Sequence, residues 1–230
     1  MKKLLLSVLI LTIISCTKDN SNFTLLGNIK GLKKGTVYLE REQDSTYVII
    51  DSLVINGDSQ FELHCNLEEP EVLFLRLNKN DNDEGIVTFF ADKGITEINS
   101  TLKNFSFNAK IKGSKQHELL EEYLSIMSKF NNQNLDMIKE YYEPKKDNDT
   151  IENLNFEEKY NSLLKRKYLY TINFAVTHNT SEVAPYLAVT QIANANPKYL
   201  DTIYNSLDSN LKSSLYGKQL KNLIEKQKIN

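Results

Sequence analysis

Two cysteines, Cys16 and Cys65, are the side chains of this chain best able to form a covalent bond. Cys65 follows His64, a base that could draw off its proton. On a strand, however, consecutive side chains point to opposite faces, so Cys65 is expected to be buried and structural. His64, His117 and His178 are widely spaced, whereas a metal needs converging ligands. The acidic run Asn80-Asp81-Asn82-Asp83-Glu84-Gly85 sets oxygen ligands at alternate positions, which suits calcium. Counted from Asp81, its glycine falls fifth rather than sixth, so the calcium-loop register fails and a solvated hairpin tip is expected. Ten tyrosines, at 123, 141, 142, 160, 168, 170, 186, 199, 204 and 216, either line a ligand cleft or make core and interhelix contacts. The chain has no Gly-rich phosphate loop, no nucleophile elbow and no His-Glu-x-x-His. Nor does it have a Cys-x-x-Cys, which excludes dithiol redox chemistry within this chain. No catalytic residue, cofactor or metal ligand is expected, and the chain reads as a non-enzyme.

Cys16 has a different setting. Lys2 and Lys3 precede a short apolar run over residues 4–14, then Ser15, Cys16 and polar Thr17-Lys18-Asp19-Asn20. That is the pattern of a secretory signal peptide, and the run is too short to span a bilayer, which takes about 20 residues. Ile13-Ile14-Ser15-Cys16 resembles the lipobox of bacterial lipoproteins. The resemblance implies removal of residues 1–15 and acylation of Cys16, which would start a polar tether over 16–22. One acyl chain holds a protein only marginally, at roughly 0.8 kcal/mol per buried methylene, and lipoproteins carry two or three. Lys18-Asp19 is a thin version of the surface-export signal of Bacteroidetes lipoproteins. Either the cell surface or the periplasmic face of the outer membrane therefore fits. Asp51-Ser52-Leu53, Asp149-Thr150-Ile151 and Asp201-Thr202-Ile203 resemble short O-glycosylation signals of such envelope proteins.

The elements that would carry these residues fall into two halves. Of 230 residues about 215 remain after cleavage, and 40% of the chain is apolar, enough for a packed core. The formal charge of −2 becomes −4 without Lys2 and Lys3, so nucleic acid finds no basic footprint. Residues 23–112 read as strands over 23–30, 36–41, 47–55, 60–66, 71–78, 86–91, 95–100 and 105–111. Asn56-Gly57-Asp58 marks a tight turn, and Phe61, Leu63 and Cys65 alternate with Glu62, His64 and Asn66. Short strands at this spacing predict an antiparallel sandwich or barrel. Residues 113–230 turn helical: Ser114 suits an N-cap before Leu120, Tyr123, Leu124 and Met127. Asn131 to Asn134 reads as a weak point. A second helix is expected over 156–176, a third from Ser181 to Ala195, a fourth from Pro197 and a fifth over 211–229. The fold class is α+β, an N-terminal β-domain followed by a small helical bundle, with no internal repeat.

Several segments together carry a family likeness. They are residues 23–31 (FTLLGNIKG), 35–39 (GTVYL), 87–98 (VTFFADKGITEI), 111–114 (IKGS) and 215–226 (LYGKQLKNLIEK), with Ile50-Asp51-Ser52, Gly57 and Phe61. The chain resembles the N-terminal domain of unknown function of Bacteroidetes lipoproteins of the TlpA or AhpC/TSA type. In those a thioredoxin-like domain follows the Tyr-Gly-Lys segment, whereas this sequence stops at Asn230. No redox residue carries over. The expected function is a lipid-anchored binding or accessory module of the cell envelope, with the membrane and an envelope protein as partners. The alternative is a docking subunit for a separate thioredoxin-like oxidoreductase.

Overall fold

A computed structural model describes residues 21–78, 85–142 and 150–229. Eight strands come first: β1 (Phe23–Lys30), β2 (Lys34–Gln43), β3 (Thr46–Asn56), β4 (Gln60–Cys65), β5 (Glu71–Asn78), β6 (Gly85–Ala91), β7 (Gly94–Thr101) and β8 (Lys110–Lys112). They form two sheets of order β4-β1-β7-β8 and β3-β2-β5-β6. The alternation legible in the sequence sets the layering. Leu25, Ile29, Leu63 and Ile98 of the first sheet meet Val37, Leu39, Leu75 and Phe89 of the second in one core. The two sheets stay separate, so the β-domain is a sandwich and not a closed barrel.

Two strand expectations change. β1 and β7 run parallel, Phe23 opposite Gly94 through Lys30 opposite Thr101. The other five pairings are antiparallel. The whole second sheet is built between β1 and β7, and that long crossover is what a parallel pair requires. Residues 105–111 are also not one strand. A 3-10 turn (Leu102–Asn104) precedes them and only Lys110–Lys112 pairs. Phe105 turns inward to plug the sandwich end, and Ser100 Oγ donates to its carbonyl at 2.7 Å.

The register is pinned locally. Gly27 lies opposite Phe61, whose ring covers it; a Cβ at 27 would sit 2.0 Å from the ring. Asp44 and Ser45 both have positive φ, 50° and 64°, the backbone of a two-residue hairpin turn between β2 and β3. A bulge opposite Leu39 and Glu40 follows, and Asp51 then reaches across the sandwich, its Oδ2 accepting from His64 N–H at 2.7 Å.

Helices α1 (Lys115–Tyr142), α2 (Thr150–Thr177), α3 (Val183–Gln191), α4 (Pro197–Ser206), α5 (Ser209–Lys212) and α6 (Leu215–Ile229) make a third layer. Val72, Phe74 and Phe90 on the outer face of the second sheet bury against Leu120, Tyr123, Met127, Phe174, Leu187 and Tyr216. Ser114 caps α1 as expected, its Oγ accepting from His117 N–H at 3.0 Å. The Asn131–Asn134 stretch does not interrupt α1, which runs unbroken past it. Asparagine costs a helix well under 1 kcal/mol per residue, too little to break one laid against α2 through Phe130–Tyr170 and Tyr141–Phe156 contacts. The expected last helix is split at Ser213 and Ser214, because Ser214 Oγ accepts from Gly217 N–H and opens α6 anew. The third ends at Gln191, short of Ala195. Among the described residues no helix is long and apolar enough to cross a membrane.

Candidate functional site

The residues singled out for chemistry are not brought together. Cys65 is buried inside the sandwich, and burial pushes its thiol up to about 11. His64 faces the other way, its Nδ1 3.2 Å from Thr24 Oγ1 and its Nε2 3.6 Å from Glu62. His117 sits at the start of α1, where its Nδ1 accepts from Phe90 N–H and its Nε2 lies 3.6 Å from Glu121. Burial lowers its pKa. His178 donates from Nδ1 to Phe174 O at 2.8 Å. Each histidine is thus used locally, and among the described residues no three His, Cys, Asp or Glu gather as metal ligands. Cys16, the acidic run Asn80 to Glu84 and the Thr150 side chain lie outside the described residues. Ser52 and Thr202 are exposed, on β3 and α4.

Tyr123, Tyr170, Tyr186 and Tyr216 make core and helix contacts, whereas Tyr142, Tyr160 and Tyr199 are exposed and Tyr160 lines a small cleft between α1 and α2. Tyr123 packs edge-on against Phe174 with centroids 5.3 Å apart, and Tyr186 and Tyr216 meet at 5.1 Å beside Phe90. The Tyr216 hydroxyl accepts from Val72 N–H at 2.9 Å, tying α6 to β5. Next to it, Glu69 accepts from Leu215 N–H and buried Glu182 from Ser214 Oγ. Burial raises Glu182 to about 7, with Glu69 adding to the rise. These carboxylates close the junction between sandwich and helices.

A cleft opens elsewhere, on the outward face of the first sheet. It encloses about 570 Å³ and is lined by Asn28, Lys30, Asn99, Ser100, Thr101, Phe107, Asn108, Ala109 and Lys110. That volume lies within the usual range of ligand pockets. Strand register builds its floor: Asn28 pairs with Asn99 and Asn99 with Lys110, giving a row across β1, β7 and β8, and Lys30 pairs with Thr101 beside it. Asn28 Oδ1 accepts from Ser59 Oγ, which leaves its amide N–H groups to donate. Phe107 stands at the rim, 92% exposed. The loop that presents it is held on both sides. Phe105 is buried, Ser106 Oγ accepts from Ile86 N–H at 3.1 Å, and Asn108 N–H donates to Asn104 O at 2.9 Å.

Residues 23–120 match the family described as a domain of unknown function, DUF4369. No curated protein matches the chain. The matched span holds all eight strands and the first turn and a half of α1, and with them the whole lining of the cleft. Sequence reading passed over this site because its residues are the polar half of ordinary strand alternation. Only Phe107, an aromatic in the run Ser106-Phe107-Asn108, broke the pattern, and it reads as a strand residue until Phe105 is seen to turn inward.

Proposed function

We propose that the mature chain is a lipid-anchored binding module of the cell envelope, held in the outer membrane through Cys16 and carrying its ligand in the β1–β7–β8 cleft. The observation that supports this reading is the placement of the two ends of β1. Asn22, six residues after Cys16, is stitched to the start of the sandwich: Leu67 N–H donates to its Oδ1, its Nδ2 donates to Leu67 O, and Gly94 N–H donates to its carbonyl. The cleft lies at the far end of β1, eight residues and roughly 26 Å away. A tether at Cys16 would hold the first end near the bilayer and leave the cleft facing away from it. Among the described residues the lining holds donors and acceptors but no carboxylate, thiol or imidazole that could act as a base or nucleophile. In this reading the chain performs no chemistry of its own. Its face of the membrane is periplasmic or external.

The test is metabolic labelling with a clickable palmitate analogue, together with in-cell cross-linking from a photoreactive residue at position 108. Acylation should be lost, and the protein released from the membrane fraction, in Cys16→Ser. Cross-links from position 108 should depend on the membrane-bound form. Persistent membrane retention of Cys16→Ser overturns the anchor. Capture of a thioredoxin-like protein through the cleft would replace this reading with a docking role for an oxidoreductase. Turnover of any defined substrate by the purified protein would overturn the non-enzymatic reading.

A further inference from the structure

We propose that the cleft recognises an oligosaccharide carrying carboxylates, with Phe107 as a stacking platform and Lys30 and Lys110 as the charge readers. The inference deepens the binding-module reading and rests on it. It starts from how the rim is built. A fully exposed phenylalanine on a mobile turn carries no message, because single apolar residues on a surface are ordinary. Phe107 is different in being held out. Its neighbours Phe105 and Ser106 are fixed to the body of the sandwich and Asn108 N–H closes the loop back on Asn104, so the backbone that carries the ring has little conformational entropy left to lose on binding. A flat apolar face over a polar floor suits a sugar ring, which has one face of C–H groups and an edge of hydroxyls.

The floor matches that edge. Asn28, Asn99 and Asn108 offer amide donors and acceptors, and a hydroxyl is both donor and acceptor. The side chains of Asn99, Thr101, Asn108, Lys30 and Lys110 make no hydrogen bond or ion pair among the described residues, apart from what a ligand would supply. Charge then selects among sugars. Lys110 ends the Asn28–Asn99 row on β8, Lys30 lies in the next row on β1, and none of the described lining residues is acidic. Lys33 and Lys103 in the flanking turns and Lys34 at the start of β2 are exposed. An acidic peptide would share the charge. It would not use the ring and the side-chain amides together, since extended peptides are read chiefly through backbone bonds at a sheet edge.

The experiment is calorimetric titration of the detergent-solubilised, acylated protein with tetragalacturonate and with a hyaluronan tetrasaccharide. The methyl ester of tetragalacturonate and tetraglutamate serve as comparators. At least one acidic saccharide should bind. Phe107→Ala should weaken it about tenfold, and Lys30→Gln or Lys110→Gln about two- to fivefold each. Because Phe107 is almost wholly exposed, its replacement should leave the melting temperature unchanged, which separates lost binding from lost folding. Added salt should weaken binding of the acid but not of the ester. If the ester binds equally well and still needs Phe107, the cleft stands as a binding site and the acidic class falls. If tetraglutamate binds as tightly as the saccharides, or if neither acidic saccharide binds, the saccharide proposal is overturned. Membrane retention through Cys16 is read separately and survives either result.

Discussion

Cys65 and His64 are neighbours in sequence that do not share an environment. Strand geometry alone places them on opposite faces, and that much was legible from Phe61, Leu63 and Cys65 alternating with Glu62, His64 and Asn66. A thiol pushed up to about 11 by burial is ionised in about one molecule per thousand at pH 8, and it is sheltered as well. In Cys16→Ser protein, disulfide reagents should therefore leave Cys65 unlabelled in the folded state and label it fully in denaturant. Rapid labelling of native protein would contradict its placement. Gly27 makes a sharper case, because nothing in the sequence marks it as more than a weak strand residue. The ring of Phe61 occupies the space that a Cβ would need. Gly27→Ala should lower stability by about 1–3 kcal/mol through overpacking, and the double variant Gly27→Ala with Phe61→Leu should recover part of that loss in urea melts.

At the scale of elements, local chemistry was legible wherever it was decided within a few residues. Ser114, Pro197 and the Asn56-Gly57-Asp58 turn all do what their residue types suggest. Ser114 does more than cap α1. Its hydroxyl also donates to Asp92 Oδ2 at 3.0 Å, and the same carboxylate accepts from Gln116 N–H. Cap and sandwich loop form one joint, so Ser114→Ala should cost about 1–2 kcal/mol. Asp92→Asn should cost less than Ser114→Ala, since an amide oxygen still accepts. The reverse order in thermal melts would show that the joint is not centred on the serine. Misread elements have a common cause in partners remote in sequence. The asparagines of α1 are tolerated because α2 lies alongside, β8 is short because Phe105 is drawn into the sandwich, and β7 pairs parallel to β1 because an entire sheet intervenes. No period within a window of ten residues reports such pairings.

Across the whole molecule, the sandwich and helices are joined by buried titratable groups of opposite sign in their effect. Glu182, 5% exposed, is raised from 4.5 to about 7, so folding favours its protonated form. Its contribution is fully present below the unfolded value and is lost as pH rises through about 7, amounting to at most about 3 kcal/mol. Glu71, raised by burial despite Arg41 at 2.7 Å, acts in the same direction from 4.5 upward. His117 is lowered from 6.5 by burial, so folding favours its neutral form and stability falls as pH drops below the unfolded value. Between about pH 5 and 7 the carboxyls and the imidazole therefore pull in opposite directions, and the wild-type melting temperature should vary little there and level off above pH 7, where the Glu182 contribution has been lost. Glu182→Gln keeps an acceptor for Ser214 Oγ and removes the titration. It should melt higher than wild type at pH 8, match it near pH 4.5, and expose the His117 limb as a rise in stability from pH 5 to 7. Parallel pH curves for the two proteins would show that the carboxyl is not protonated in the fold. Glu69→Gln should raise the pH 8 melting temperature too, but by less, because Glu69 acts on Glu182 only through its charge while its own oxygen holds Leu215 N–H at 2.7 Å.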